Sequence, residues 1–86
     1  MDGDLIRAFS NCGDNDIIEF AILRARLNKN EKMVMSLILD ECMTQEEVAE
    51  KMNYSVRRVQ DFWYSGCRKL LNIAWVRAYA DQLNND

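Results

Sequence analysis

The sequence predicts an all-α fold, a compact helical bundle of five to six helices that closes on a long C-terminal helix or a helix pair. Three observations carry this. Apolar residues recur at three- and four-residue spacing along most of the chain. The 86 residues include no proline and three glycines, too few breakers for a turn-rich β protein. Capping residues stand just ahead of the periodic stretches. A chain of 86 residues is expected to form a single domain. It divides into N-terminal helices over 1–26, a central core over 27–71 and a C-terminal helical extension over 72–86.

Asp4 to Ser10 carries Leu5, Ile6 and Phe9 as a short helical stripe, and Asn11-Cys12-Gly13 breaks it. Asp14 or Asn15 caps a second helix with Ile17, Ile18, Ala21, Ile22 and Ala25 inward, and with Arg24 and Arg26 in its last turn, where cations suit the dipole. Asn28 followed by Glu31 has capping-box spacing and opens a third helix. Met33, Val34, Leu37 and Ile38 are its expected buried face, and Asp40-Glu41 oppose the dipole at its end. Thr44 and Glu47 form a second capping box ahead of a short helix bearing Val48, Ala49 and Met52. Asn53 tolerates the left-handed backbone that a helix end needs. Ser55 caps the next helix, whose inward row is Val59, Phe62, Gly66 and Leu70. Two turns of helix and a tight turn between Thr44 and Ser55 give helix-turn-helix spacing. Gly66 in mid-helix predicts a close helix crossing. Asn72 either breaks the chain or is read through; an unbroken helix from Ser55 to Leu83 would be about 43 Å long.

Composition removes several function classes. Histidine is absent, and with it the commonest general base and metal ligand. Cys12, Cys42 and Cys67 are odd in number and form no CxxC pair, so free thiols are expected and neither a disulfide framework nor a zinc site is. No enzyme, metal or cofactor is expected. The N-terminus is acidic where a signal peptide would be basic, and the longest nearly apolar run, Met33 to Leu39, is too short for a bilayer. A cytoplasmic location with no membrane contact follows as an expectation. Net charge is −3, but unevenly placed: residues 1–54 hold eleven acidic and six basic residues, residues 55–86 three and five. An acidic body with a weakly basic C-terminal third can still face phosphates, through few contacts.

The segment from Leu27 to Leu71 resembles the fourth conserved region of bacterial sigma factors and related phage helix-turn-helix regulators. The matching residues are Leu27, Glu31, Val34 and Leu37, then Thr44, Glu46-Glu47-Val48-Ala49-Glu50 and Met52, then Ser55, Val59, Phe62 and Leu70. The resemblance implies that the helix opened by Ser55 enters a major groove. Val56, Arg57 and Arg58, then Gln60 and Asp61, would face base edges. Thr44, Ser55, Tyr64 and Arg68 complete the implied DNA face. Arginine near the start of such a helix can pair bidentately with guanine, and free amides beside Ser55 suit a phosphate. Asp61 would repel phosphates unless it accepts from a cytosine amine.

The function implied is a sequence-specific regulator of transcription that binds double-stranded DNA, with RNA polymerase as a further partner; small size and a single domain point to a phage or mobile element as its source. The competing reading is a protein-binding adaptor or inhibitor that keeps the fold without the DNA role, since fold does not fix function. Trp75 and Tyr79, four residues apart, are expected first to pack on the N-terminal helices and second to offer a partner or homodimer surface on the C-terminal helix. Arg57 and Arg58 have a duller reading as solvated charges near Glu46, Glu47 and Glu50.

Overall fold

In the computed structural model, which describes residues 2–85, six α-helices and one π-helical turn follow one another, with no strand among the described residues. Helix α1 is Asp2–Ser10, α2 Asn15–Arg24, α3 Lys29–Met35, α4 Gln45–Met52, α5 Val56–Leu71 and α6 Ala74–Asn85; the π turn, Ser36–Asp40, directly extends α3. The chain therefore adopts the all-α bundle expected of it. No helix among the described residues is long and apolar enough to cross a membrane.

Local chemistry starts the helices. The Asp14 carboxylate accepts from the N–H groups of Asp16 at 3.1 Å and Ile17 at 3.2 Å, so Asp14, not Asn15, caps α2. Asn28 and Glu31 complete a reciprocal box at the start of α3, and Thr44 and Glu47 do the same for α4. Each box satisfies two amides that a helix start leaves without partners. Asn53 ends α4 in the left-handed region, φ 59°, as its residue type suggests. Helix α2 ends earlier than expected: Ala25 is its cap and Arg26 has turned left-handed, φ 54°, so Arg26 is not a last-turn cation.

The interior has two hydrophobic clusters, and α3 with its π turn lies between them. One joins Leu5, Ile6 and Phe9 of α1 to Ile18 and Ile22 of α2, Leu70 and Leu71 of α5 and Val76 and Ala80 of α6. The other, smaller cluster is Val34, Leu37, Val48, Ala49 and Val59, the core of the helix-turn-helix. Trp63 packs against both. Met35 and Leu39 point into the first cluster, and Val34 and Leu37 into the second.

This arrangement corrects one expectation. Met33 is not on the buried face of its helix but 44% exposed, while Met35 and Leu39, not assigned inward, are buried. The reason is that two cores flank α3, and the π turn, with Glu41 N–H bonded to Ser36 C=O at 3.2 Å, adds a residue to the repeat.

The C-terminal question is settled in favour of a helix pair. Asn72 ends α5, with its N–H on the Arg68 carbonyl at 3.1 Å, and the unbroken 43 Å helix does not form. Arg77, from the first turn of α6, donates through Nε to the Leu71 carbonyl at 3.1 Å. That bond satisfies a carbonyl the helix end would leave open. Trp75 then stacks on Phe20 of α2, with centroids 5.8 Å apart, and Tyr79 meets Phe9 of α1 edge-on at 6.2 Å. Both rings thus pack on the N-terminal helices.

Gly66 marks the close crossing that its mid-helix position implied. A Cβ added there would lie 2.6 Å from Met35 Sδ and 2.8 Å from its Cγ, and Met35 is fully buried. Gly66→Val is therefore expected to cost about 2–3 kcal/mol by overpacking. Urea unfolding should show a lower midpoint with an unchanged slope. A midpoint equal to that of the parent chain would mean that Met35 moves aside freely.

Candidate nucleic-acid interface

The face of interest is built on α5, so what holds α5 comes first. Its start is fixed by Ser55, whose hydroxyl accepts from the Arg58 N–H at 3.1 Å. Its back is fixed by Val59, fully buried among Val34, Val48 and Ala49. Its later half is fixed by Glu31. This carboxylate is only 2% exposed and accepts from Lys69 Nζ at 2.7 Å, from the Ser65 hydroxyl and from the Asn28 N–H at 2.9 Å. Burial alone would push its pKa up. The hydrogen bonds from Lys69, Ser65 and Asn28, together with the Lys69 charge, outweigh burial and hold the carboxyl below its ordinary value. The N-cap of α3 is thereby tied to the C-terminal half of α5.

With its back anchored, α5 turns a stripe of polar side chains outward. Arg57, Asp61, Tyr64 and Arg68 are all exposed, Tyr64 by 62%. Their spacing of four, three and four residues places them on one side of a 3.6-residue helix, over about 16 Å. Arg58 stands beside the first of them. Its guanidinium lies over the rings of Tyr54, 5.0 Å from the centroid, and Phe62, at 5.6 Å. Such stacking contributes about 0.5–1 kcal/mol at an exposed site, and it holds the fork in one plane while leaving its edge open. Among the described residues neither arginine forms an ion pair with Glu46, Glu47 or Glu50.

The remaining expected contact residues are placed differently. Thr44 and Ser55 are exposed, but their hydroxyls already accept from Glu47 and Arg58 amides as caps. Val56 is half-buried against the smaller core. Gln60 is half-buried too, and its Nε2 donates to Gln45 Oε1 at 3.2 Å, bracing α5 against the first turn of α4. The structure therefore gathers Arg57, Arg58, Asp61, Tyr64 and Arg68 on the open side of α5 and leaves Gln60 at the junction. Sequence reasoning missed Tyr54 and Phe62 as the platform for Arg58. Part of the signal was present: Arg58 and Phe62 lie four residues apart on α5, the spacing that brings side chains together along a helix, while Tyr54 comes from the preceding turn.

The cysteines take no part in this face. Cys42 is exposed, whereas burial pushes the Cys67 thiol up to about 12. Against the ordinary thiol value of 9.0, the thiolate fraction of Cys67 at mild pH is lower by roughly 1,000-fold. Iodoacetamide followed by peptide mass spectrometry is expected to label Cys42 well before Cys67. Equal rates in the native protein would contradict the packing around α5.

A short supporting helix, a left-handed turn and a longer helix with a solvent-facing polar stripe define a helix-turn-helix. The family follows from the sequence of that same segment. The family model described as Sigma-70, region 4 matches residues 25–70, just over half of the chain, and the chain belongs to that family. The match spans α3 to α5 and leaves α1, α2 and α6 outside it. No curated protein and no solved structure matches the chain. The family is one of DNA-binding domains, not of enzymes.

Proposed function

We propose that this protein is a sequence-specific regulator of transcription that binds double-stranded DNA, with α5 as its reading helix. The observation that carries the reading is the stripe on α5: two guanidinium groups in the first helical turn, one stacked on rings and one unpaired among the described residues, on a helix whose back is locked into a core. Arg57 and Arg58 would read base edges, Tyr64 and Arg68 would meet the sugar-phosphate backbone, and Asp61 would accept from a cytosine amine. Thr44, Ser55 and the amides of Val56 and Arg57 would sit against phosphate oxygens. RNA polymerase is the protein partner that membership of the sigma region 4 family suggests, and the cytoplasm is the matching location.

With few cations on the face, one copy binds weakly. We therefore extend the reading to a homodimer through α6. Trp75 is 39% exposed beside Phe20 at 48%, with Leu23 at 66% nearby on α2. This apolar patch also favours the second reading, an adaptor whose partner is a protein. A selection from random duplex DNA at low salt separates the two. A recovered motif with salt-sensitive affinity supports the regulator, and enrichment of no sequence discards it in favour of the adaptor.

A further inference from the structure

Beside the polar stripe, whose Tyr64 and Arg68 contribute to its wall, α1, the π turn and the later half of α5 line an open groove of about 590 Å³. This volume falls within the roughly 300–1,000 Å³ of small-molecule sites. Ile6, Ile38 and Trp63 supply apolar walls, and the floor includes Cys67, whose thiol stays neutral because burial holds its pKa at about 12. The charged lining consists of Arg7 from α1 and Arg68 from α5, both exposed, and no carboxylate lines the groove among the described residues. In a chain of net charge −3 this is a locally cationic pocket with an apolar interior.

From this we infer that the groove binds a small amphipathic carboxylate, a medium-chain or aryl acid. Its apolar body lies against Ile6, Ile38 and Trp63, and its carboxylate is held by the guanidinium groups of Arg7 and Arg68. Two observations select this occupant. An uncharged apolar molecule would leave both guanidinium groups unused, and a cation would meet them unfavourably. A planar guanidinium also matches a carboxylate with two parallel hydrogen bonds. Arg68 belongs to the outward stripe of α5 as well, so a bound acid draws a cation from that face. This consequence rests on the reading helix proposed above, whereas the site does not.

Trp63 lines the groove and Trp75 does not, so the Trp75→Phe protein reports the groove through one indole. Titration of that protein with decanoate is expected to shift Trp63 emission to saturation, with decanol binding at least about 10-fold more weakly, the factor carried by one charge-assisted contact. Arg7→Ala with Arg68→Ala should weaken decanoate by at least the same factor, while Arg24→Ala should leave it unchanged. Amide shifts in the unaltered protein should centre on Ile6, Ile38 and Trp63, a readout that needs no variant to fold. Failure to saturate, equal binding of decanol and decanoate, or full affinity in the double arginine variant would each overturn the proposal.

Discussion

Arg57→Glu combined with Arg58→Glu is expected to lower affinity for duplex DNA by at least about 30-fold, the loss that two guanidinium contacts of ~1–3 kcal/mol each imply. The four-unit change in local charge adds repulsion from phosphates, so the observed loss should exceed that floor at low salt and approach it as salt rises. The fold should survive. Among the described residues neither arginine forms an ion pair, and acidic residues in the first turn suit the helix dipole. The folded-state cost is the stacking of Arg58 on Tyr54 and Phe62, about 0.5–1 kcal/mol. Arg58→Lys isolates that arrangement, because an ammonium keeps the charge but not the flat fork. It should weaken the preferred duplex more than a random one. Fluorescence anisotropy at fixed salt, with circular dichroism for the fold, gives both numbers. Undiminished affinity in the double variant would take the reading role away from α5.

Glu31→Ala is expected to cost about 2–3 kcal/mol of stability. It removes half of the α3 capping box and leaves the Ser65 hydroxyl and Lys69 without their buried acceptor. Fully buried pairs lose about 3–5 kcal/mol when broken. The figure here is lower because the Lys69 side chain is 41% exposed and can be hydrated instead. For a domain of this size the melting temperature should fall by roughly 10–20 °C. Glu31→Gln keeps the shape and part of the hydrogen bonding, and should cost less. The pH dependence has a definite sign. The folded-state pKa of Glu31 lies below its unfolded value, so its contribution is complete above the ordinary glutamate value of about 4.3 and fades as pH falls through the folded value. The gap between the parent chain and Glu31→Gln should therefore be constant at neutral pH and narrow only in acid. A gap that narrowed instead above neutrality would exclude the ionised carboxylate as its source.

How much could be read in advance depended on the range of the interaction. The caps at Asp14, Asn28, Thr44 and Ser55 act over two or three residues, and each starts a helix where its side chain suggests. Asn53 and the close approach at Gly66 were legible for the same reason, since each is dictated by one residue type. Met33 was misplaced because periodicity assumes one buried face, whereas α3 has two. The end of α5 at Leu71 was undecided because apolar spacing runs on through Ile73 and Val76; the deciding contact comes from Arg77. On the proposed face, exposure of Arg57 and Arg58 followed from the pattern of α5. The Gln45–Gln60 bond and the Glu31 cluster did not, because they join residues 15 to 38 positions apart.

The division into two clusters also has a consequence for motion. The smaller cluster closes through neighbours in sequence, α3 to α5, while the larger requires the first helix to meet the last. Contacts between distant parts of a chain form late and open first. Native-state hydrogen exchange should accordingly resolve two cooperative units, with the amides of α1 and α6 exchanging through a partial opening that leaves Val34, Val48 and Val59 protected. The helix-turn-helix can then hold its shape while the outer pair of helices breathes.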